Sequence, residues 1–97
     1  MLSITPGKRE LCPGERGSLD VQVSGGFKLL EGSIKWKYGF SQNNINQQIS
    51  IENQLFELSS DFKEITLNKV QKDTWVRVYG SSFAGEASST ALFKVKG

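Results

Sequence analysis

The chain has 97 residues, 12 of them lysine or arginine and 10 aspartate or glutamate, with no histidine and one cysteine. That length supports one domain with a single core and little stability to spare, and 37% hydrophobic beside 23% charged residues excludes a disordered tail or a membrane-embedded chain. A net charge of +2 without blocks argues against a nucleic-acid binder, which carries a basic stripe, and the missing histidine removes histidine triads, metal sites and proton shuttles together.

Met1 to Pro6 shows no charged region leading into an apolar one, so export is expected to use a signal outside these residues or another route. Leu2 to Thr5 reads as a short strand stopped by Pro6-Gly7, and Glu10-Leu11-Cys12 resumes it before Pro13-Gly14. A strand broken by proline belongs at a sheet edge, where the missing N–H is not needed. Cys12 has no partner for a disulfide and is expected as a small, partly buried thiol. Gly17 to Ser24 alternates cleanly, with Leu19, Val21 and Val23 to one side and Ser18, Asp20, Gln22 and Ser24 to the other. After Gly25-Gly26, the loop from Phe27 to Gly32 carries Phe27, Leu29 and Leu30, some of which are expected to fold back over the end of the core.

The segment Ser33 to Phe40 is the expected centre of the fold. Ile34, Trp36 and Tyr38 alternate with Ser33, Lys35 and Lys37, which gives a strand one dry face and one wet face. A buried Trp covers roughly 150–250 Å², so the core should form around Trp36. Ser41 to Gln48 is polar and low in complexity and reads as a mobile loop or a poorly formed edge. Ile49 and Ile51 suggest a short strand, Leu55 to Leu58 another, and Ser59-Ser60-Asp61 a turn. From Phe62 to Val70, Ile65 and Leu67 alternate with Glu64, Thr66 and Asn68, and Gln71-Lys72-Asp73 makes a corner.

In the strand Thr74 to Tyr79, either Val76 and Val78 face the core or Trp75, Arg77 and Tyr79 do. Burying Arg77 without a partner costs several kcal/mol, which puts the valines inside. Gly80 to Gly85 reads as a hairpin loop with Phe83 near its tip, and Ser88 to Lys96 as the last strand, with Ala91, Phe93 and Val95 inward. About seven short strands, regularly spaced turn signals and no amphipathic helix predict an all-β antiparallel sandwich or barrel in one domain over residues 1–97.

Three stretches together resemble an immunoglobulin-type domain. Gly14 to Gly25 is similar to the second strand of intermediate-set and bacterial Ig-like modules, and Ile34-Lys35-Trp36 to their third strand with its buried Trp. Ile65 to Val70, Val76-Arg77-Val78 and Ala84 to Ala91 resemble the last three strands. The resemblance implies an immunoglobulin-like sandwich in which Val21 and Val78 stand where the family often carries its inter-sheet cysteines. It also implies a missing tyrosine corner, since Asp73-Thr74-Trp75-Val76 replaces the usual Asp-x-Gly-x-Tyr. Val21, Trp36 and Val78 are the expected core.

No catalytic constellation, cofactor site or metal site emerges. Glu57, Asp61, Glu64 and Asp73 lack the spacing of a calcium loop and read as surface acids. The outward ladder Trp75, Arg77, Tyr79, with Lys35, Lys37, Leu92 and Lys94 facing the same way, has three readings. It is cross-strand pairing with Arg77 stacked between aromatics, a protein-binding face built from hot-spot residue types, or a glycan platform. Phe83 and Phe40 are candidate anchors at the ends of the domain, or else covers for the core ends.

The resemblance implies a non-enzymatic module for structure or protein interaction in a surface-exposed multidomain protein, at a bacterial cell surface or on a phage virion. Its partners would be other proteins or neighbouring domains, with a glycan as a further ligand class and neither nucleic acid nor membrane insertion. Two alternatives stand beside it: an intracellular, cytoskeletal intermediate-set domain and a carbohydrate-binding module.

Overall fold

The computed structural model describes residues 2–50 and 54–96, and nine strands lie among them: β1 (Leu2–Thr5), β2 (Lys8–Leu11), β3 (Gly17–Val23), β4 (Lys35–Gly39), β5 (Gln47–Ile49), β6 (Phe56–Leu58), β7 (Glu64–Leu67), β8 (Thr74–Ser82) and β9 (Gly85–Val95). They form two sheets, one ordered β1-β3-β7-β6 and the other β2-β9-β8-β4-β5. The pairing is antiparallel except for β2 beside β9, which is parallel. The strand count exceeds the expected seven or so chiefly because the first strand divides; β5 forms where Ile49 suggested a short strand. Pro6-Gly7 interrupts the first strand, and the chain crosses over: β1 lies on the edge of one sheet and β2 on the edge of the other. Both halves thus occupy positions where a missing N–H costs no ladder bond.

The facing layers enclose Leu19 and Val21 from β3, Ile65 and Leu67 from β7, Trp36 from β4, Val76 and Val78 from β8, and Phe93 from β9. Trp36 is 1% exposed and Val78 fully buried. The Trp36 indole N–H donates to the carbonyl of Phe62 at 2.8 Å, tying β4 to the turn that joins β6 and β7 in the opposite sheet. Phe62 holds a left-handed backbone, with φ of 59°, a conformation that costs a bulky residue energy. The indole bond helps to hold that turn.

Several expectations need correction. Cys12 is exposed, because β2 ends one residue before it. Val23 is 37% exposed: β7 accompanies β3 only from Gly17 to Asp20, so the far end of β3 overhangs, with β1 alone beside it. Of the two readings of the Ser41–Gln48 segment, the sheet edge holds and the mobile loop does not. Ile45 within it is buried, its backbone lies against Gly39, and Gln47 and Gln48 join β5. Ile51 falls outside the described residues. Thr66 faces outward as expected but is buried there, its hydroxyl 2.9 Å from that of Ser18 on the outer side of its sheet.

The expected loop at Gly80 is strand. β8 and β9 continue in register to Ser82↔Gly85, leaving Phe83-Ala84 as a two-residue turn. Gly80 is a packing glycine, since a Cβ there would meet Leu29 Cδ1 at 2.6 Å and Leu2 Cδ1 at 2.8 Å. Its bare backbone admits the β3–β4 loop, whose Phe27 and Leu29 pack against the core as expected. At the β7–β8 corner, the missing tyrosine corner is replaced by a carboxylate. Asp73 accepts from Lys94 Nζ at 2.9 Å and from the Val95 backbone N–H at 3.0 Å, fixing the corner to β9.

Candidate functional site

The outer face of the five-stranded sheet follows from period-2 alternation along β4, β8 and β9. With Val76 and Val78 buried, Trp75, Arg77 and Tyr79 are on the other side, each part-exposed. Register then assembles the face. Lys35 lies opposite Tyr79 and Lys37 opposite Arg77. Across β9, Trp75 is opposite Leu92, Arg77 opposite Thr90 and Tyr79 opposite Ser88. The predicted residues therefore lie on one surface, Lys37 and Arg77 near its middle and Leu92 toward β2. Gln48 on β5, opposite Lys37, and Thr90 and Glu86 on β9 complete it.

Sequence reasoning missed these last three. Thr90 shares parity with Leu92 and was accessible to it, whereas Glu86 precedes the expected start of the last strand at Ser88. Gln48 was hidden in a polar run whose strand character depends on β4 beside it.

The contacts on this face differ from the expected stacking. The ring contact is made by Lys37, whose Nζ lies 5.5 Å from the Tyr79 centroid. Arg77 donates from Nε to Thr90 Oγ1 at 2.9 Å. A shallow depression of about 320 Å³ lies along Lys35, Lys37, Gln48, Tyr79 and Glu86. Toward β2, Lys94 pairs with Asp73, and Lys8 with Glu10 at 3.5 Å. The hydrogen bond and charge of Lys94 and the Val95 N–H hold the Asp73 carboxyl below its ordinary range.

The two loop phenylalanines behave differently. Phe40 is 47% exposed, meets Tyr38 edge-on and carries Lys72 Nζ 4.1 Å from its ring centroid, so it is partly engaged. Phe83 is 95% exposed and covers no core. It projects from a turn pinned by Ser82, whose hydroxyl accepts from the Ala84 N–H and donates to the Gly85 carbonyl. Among the acids, Asp61 is occupied within its own turn by Ser59 and the Lys63 N–H, which lower its pKa, and Glu57 pairs with Arg16. Among the described residues, no group of three or more histidine, cysteine, aspartate or glutamate side chains is placed to hold a metal ion.

No family model matches the chain, and no curated protein matches it either. Solved structures do. The crystal structure of Dscam1 isoform 6.9, N-terminal four Ig domains, superposes with a TM-score of 0.68 at 12% identity, over 98% of this chain. This chain spans 20% of the length of that one. The two-sheet fold of this chain thus recurs in a solved structure of Ig domains. By fold, the chain is an immunoglobulin-like β-sandwich, one that lacks an inter-sheet disulfide.

Proposed function

We propose that the chain is a non-catalytic protein-interaction module of a surface-exposed multidomain protein, and that the outer face of the β2-β9-β8-β4-β5 sheet is its contact surface. The observation that carries this reading is the register-locked row of Trp75, Arg77 and Tyr79 at the centre of that sheet, part-exposed on rigid strands. Trp, Tyr and Arg are enriched in binding hot spots: the two aromatics bring large contact area with little rotamer entropy to lose, and the guanidinium brings a planar fork of donors. The structural neighbour is itself a chain of four Ig domains, which suits a place among other domains.

The test is site-specific photo-crosslinking in the protein's own host, with p-benzoylphenylalanine at Tyr79 or, as a control, at Asp20 on the other sheet. A discrete adduct from position 79, lost when Trp75→Ala is added, is the expected result. Adducts from position 20 alone, or equal adducts from both, would overturn the assignment of the face.

A further inference from the structure

Charge on the outer face is unevenly neutralised. Lys8 and Lys94 have carboxylate partners at the β2 side. Toward β4, Lys35, Lys37 and Arg77 share the surface with one acid, Glu86, and among the described residues none of the three cations is in an ion pair. Lys37 and Arg77 are direct cross-strand partners, and like charges directly opposite each other destabilise a sheet. A surface shaped for stability alone would place a carboxylate at one of the two.

Arg77 is also pre-positioned. Its Nε is spent on Thr90 Oγ1, which fixes the plane of the guanidinium, while its two terminal nitrogens have no partner among the described residues. A held guanidinium fork matches a carboxylate with two parallel hydrogen bonds. Lys37 over the Tyr79 ring and Lys35 across from it extend the positive potential along the shallow depression.

We infer that this face binds an acidic protein segment, whose carboxylates engage Arg77, Lys37 and Lys35 while its apolar groups lie on Tyr79 and Trp75. The inference rests on the protein-binding reading of the same face. A nucleic acid or a sulfated glycan fits less well: three cations with a glutamate among them fall short of the basic track a polyanion follows. The aromatic groups beside them suit a mixed apolar and acidic surface.

The test is a nuclear magnetic resonance titration of the 15N-labelled chain with a synthetic Glu/Asp-rich peptide containing leucine and tyrosine, its Gln/Asn counterpart, and a heparin oligosaccharide. Shift changes should centre on Lys35, Lys37, Arg77, Tyr79 and Thr90, with the acidic peptide bound at least ~10-fold more tightly than the neutral one. Raising salt from about 0.05 M to about 0.5 M should weaken binding, because exposed charges are screened. Arg77→Gln and Lys37→Glu should each weaken it ~10-fold or more while melting no lower than the parent, which separates lost binding from lost folding.

Equal affinity for both peptides, or a response to heparin without one to the acidic peptide, would overturn the inference. If position 79 still crosslinks to a protein in that event, the charge argument alone has failed. If it does not, the protein-binding reading falls with it.

Discussion

Replacing Trp36 with phenylalanine isolates the bond that joins the two layers. The ring stays aromatic, but the N–H that reaches Phe62 O at 2.8 Å is gone. Trp36 is 1% exposed, and the carbonyl stranded beside its ring should cost about 1–3 kcal/mol. The smaller ring vacates roughly 40 Å³, worth about 1 kcal/mol at some 24 cal/mol per Å³. Together these come to about 2–4 kcal/mol, a large share of the roughly 5–10 kcal/mol expected for a domain of this size, and a fall in Tm of roughly 10–20 °C. Urea and thermal unfolding, followed by far-ultraviolet circular dichroism and by the fluorescence of the remaining Trp75, measure it. Trp75→Phe serves as the control and should stay within about 0.5 kcal/mol of the parent. A loss under about 1 kcal/mol for Trp36→Phe, or equal losses for the two substitutions, would refute the inter-sheet bond as a source of stability.

Lys37→Glu turns a like-charge cross-strand pair into an opposite one, so urea titration should find the variant between unchanged and about 1 kcal/mol more stable; destabilisation would contradict the charge conflict assigned to this face. Gly80→Ala drives a methyl into Leu29 and Leu2 and should cost about 1–2 kcal/mol in the same assay, while a neutral result would mean that the β3–β4 loop is not seated there. Asp73 has a folded pKa below its ordinary 3.8, so its contribution is complete above the unfolded value and is lost as pH falls through the folded one. In Asp73→Asn, which keeps an oxygen for the Val95 N–H, the decline of urea midpoints below about pH 4 should be shallower than in the parent; parallel declines would show that the Lys94 contact does not depend on charge.

Alternation made the centre of this fold legible. Leu19 and Val21, Trp36, and Val76 with Val78 announced their inward faces because two-residue periodicity is local, and the cost of burying Arg77 decided which face of β8 is wet. What escaped depends on residues distant in sequence. Gly80 looks like a turn until Leu29 is known to lie on it. Val23 looks buried until β7 is seen to stop short, and Gln48 looks like loop until β4 runs beside it. The candidate face was legible as a set of side chains but not in its contacts. Whether Arg77 meets a ring or Thr90, and whether Lys37 stands over Tyr79, follows from register and from the diagonal reach of long side chains. The carboxylate corner at Asp73 was hidden for the same reason, since its acceptor role requires β9 to pass 21 and 22 residues later.

Hydrogen exchange at the two indole N–H groups, read before and after addition of the acidic peptide, tests the division between sealed core and working face most directly. The structure predicts that the Trp36 proton exchanges only on global unfolding, that the Trp75 proton exchanges freely, and that the peptide slows Trp75 alone. Rapid exchange at Trp36, or a peptide that leaves Trp75 unchanged, would contradict it.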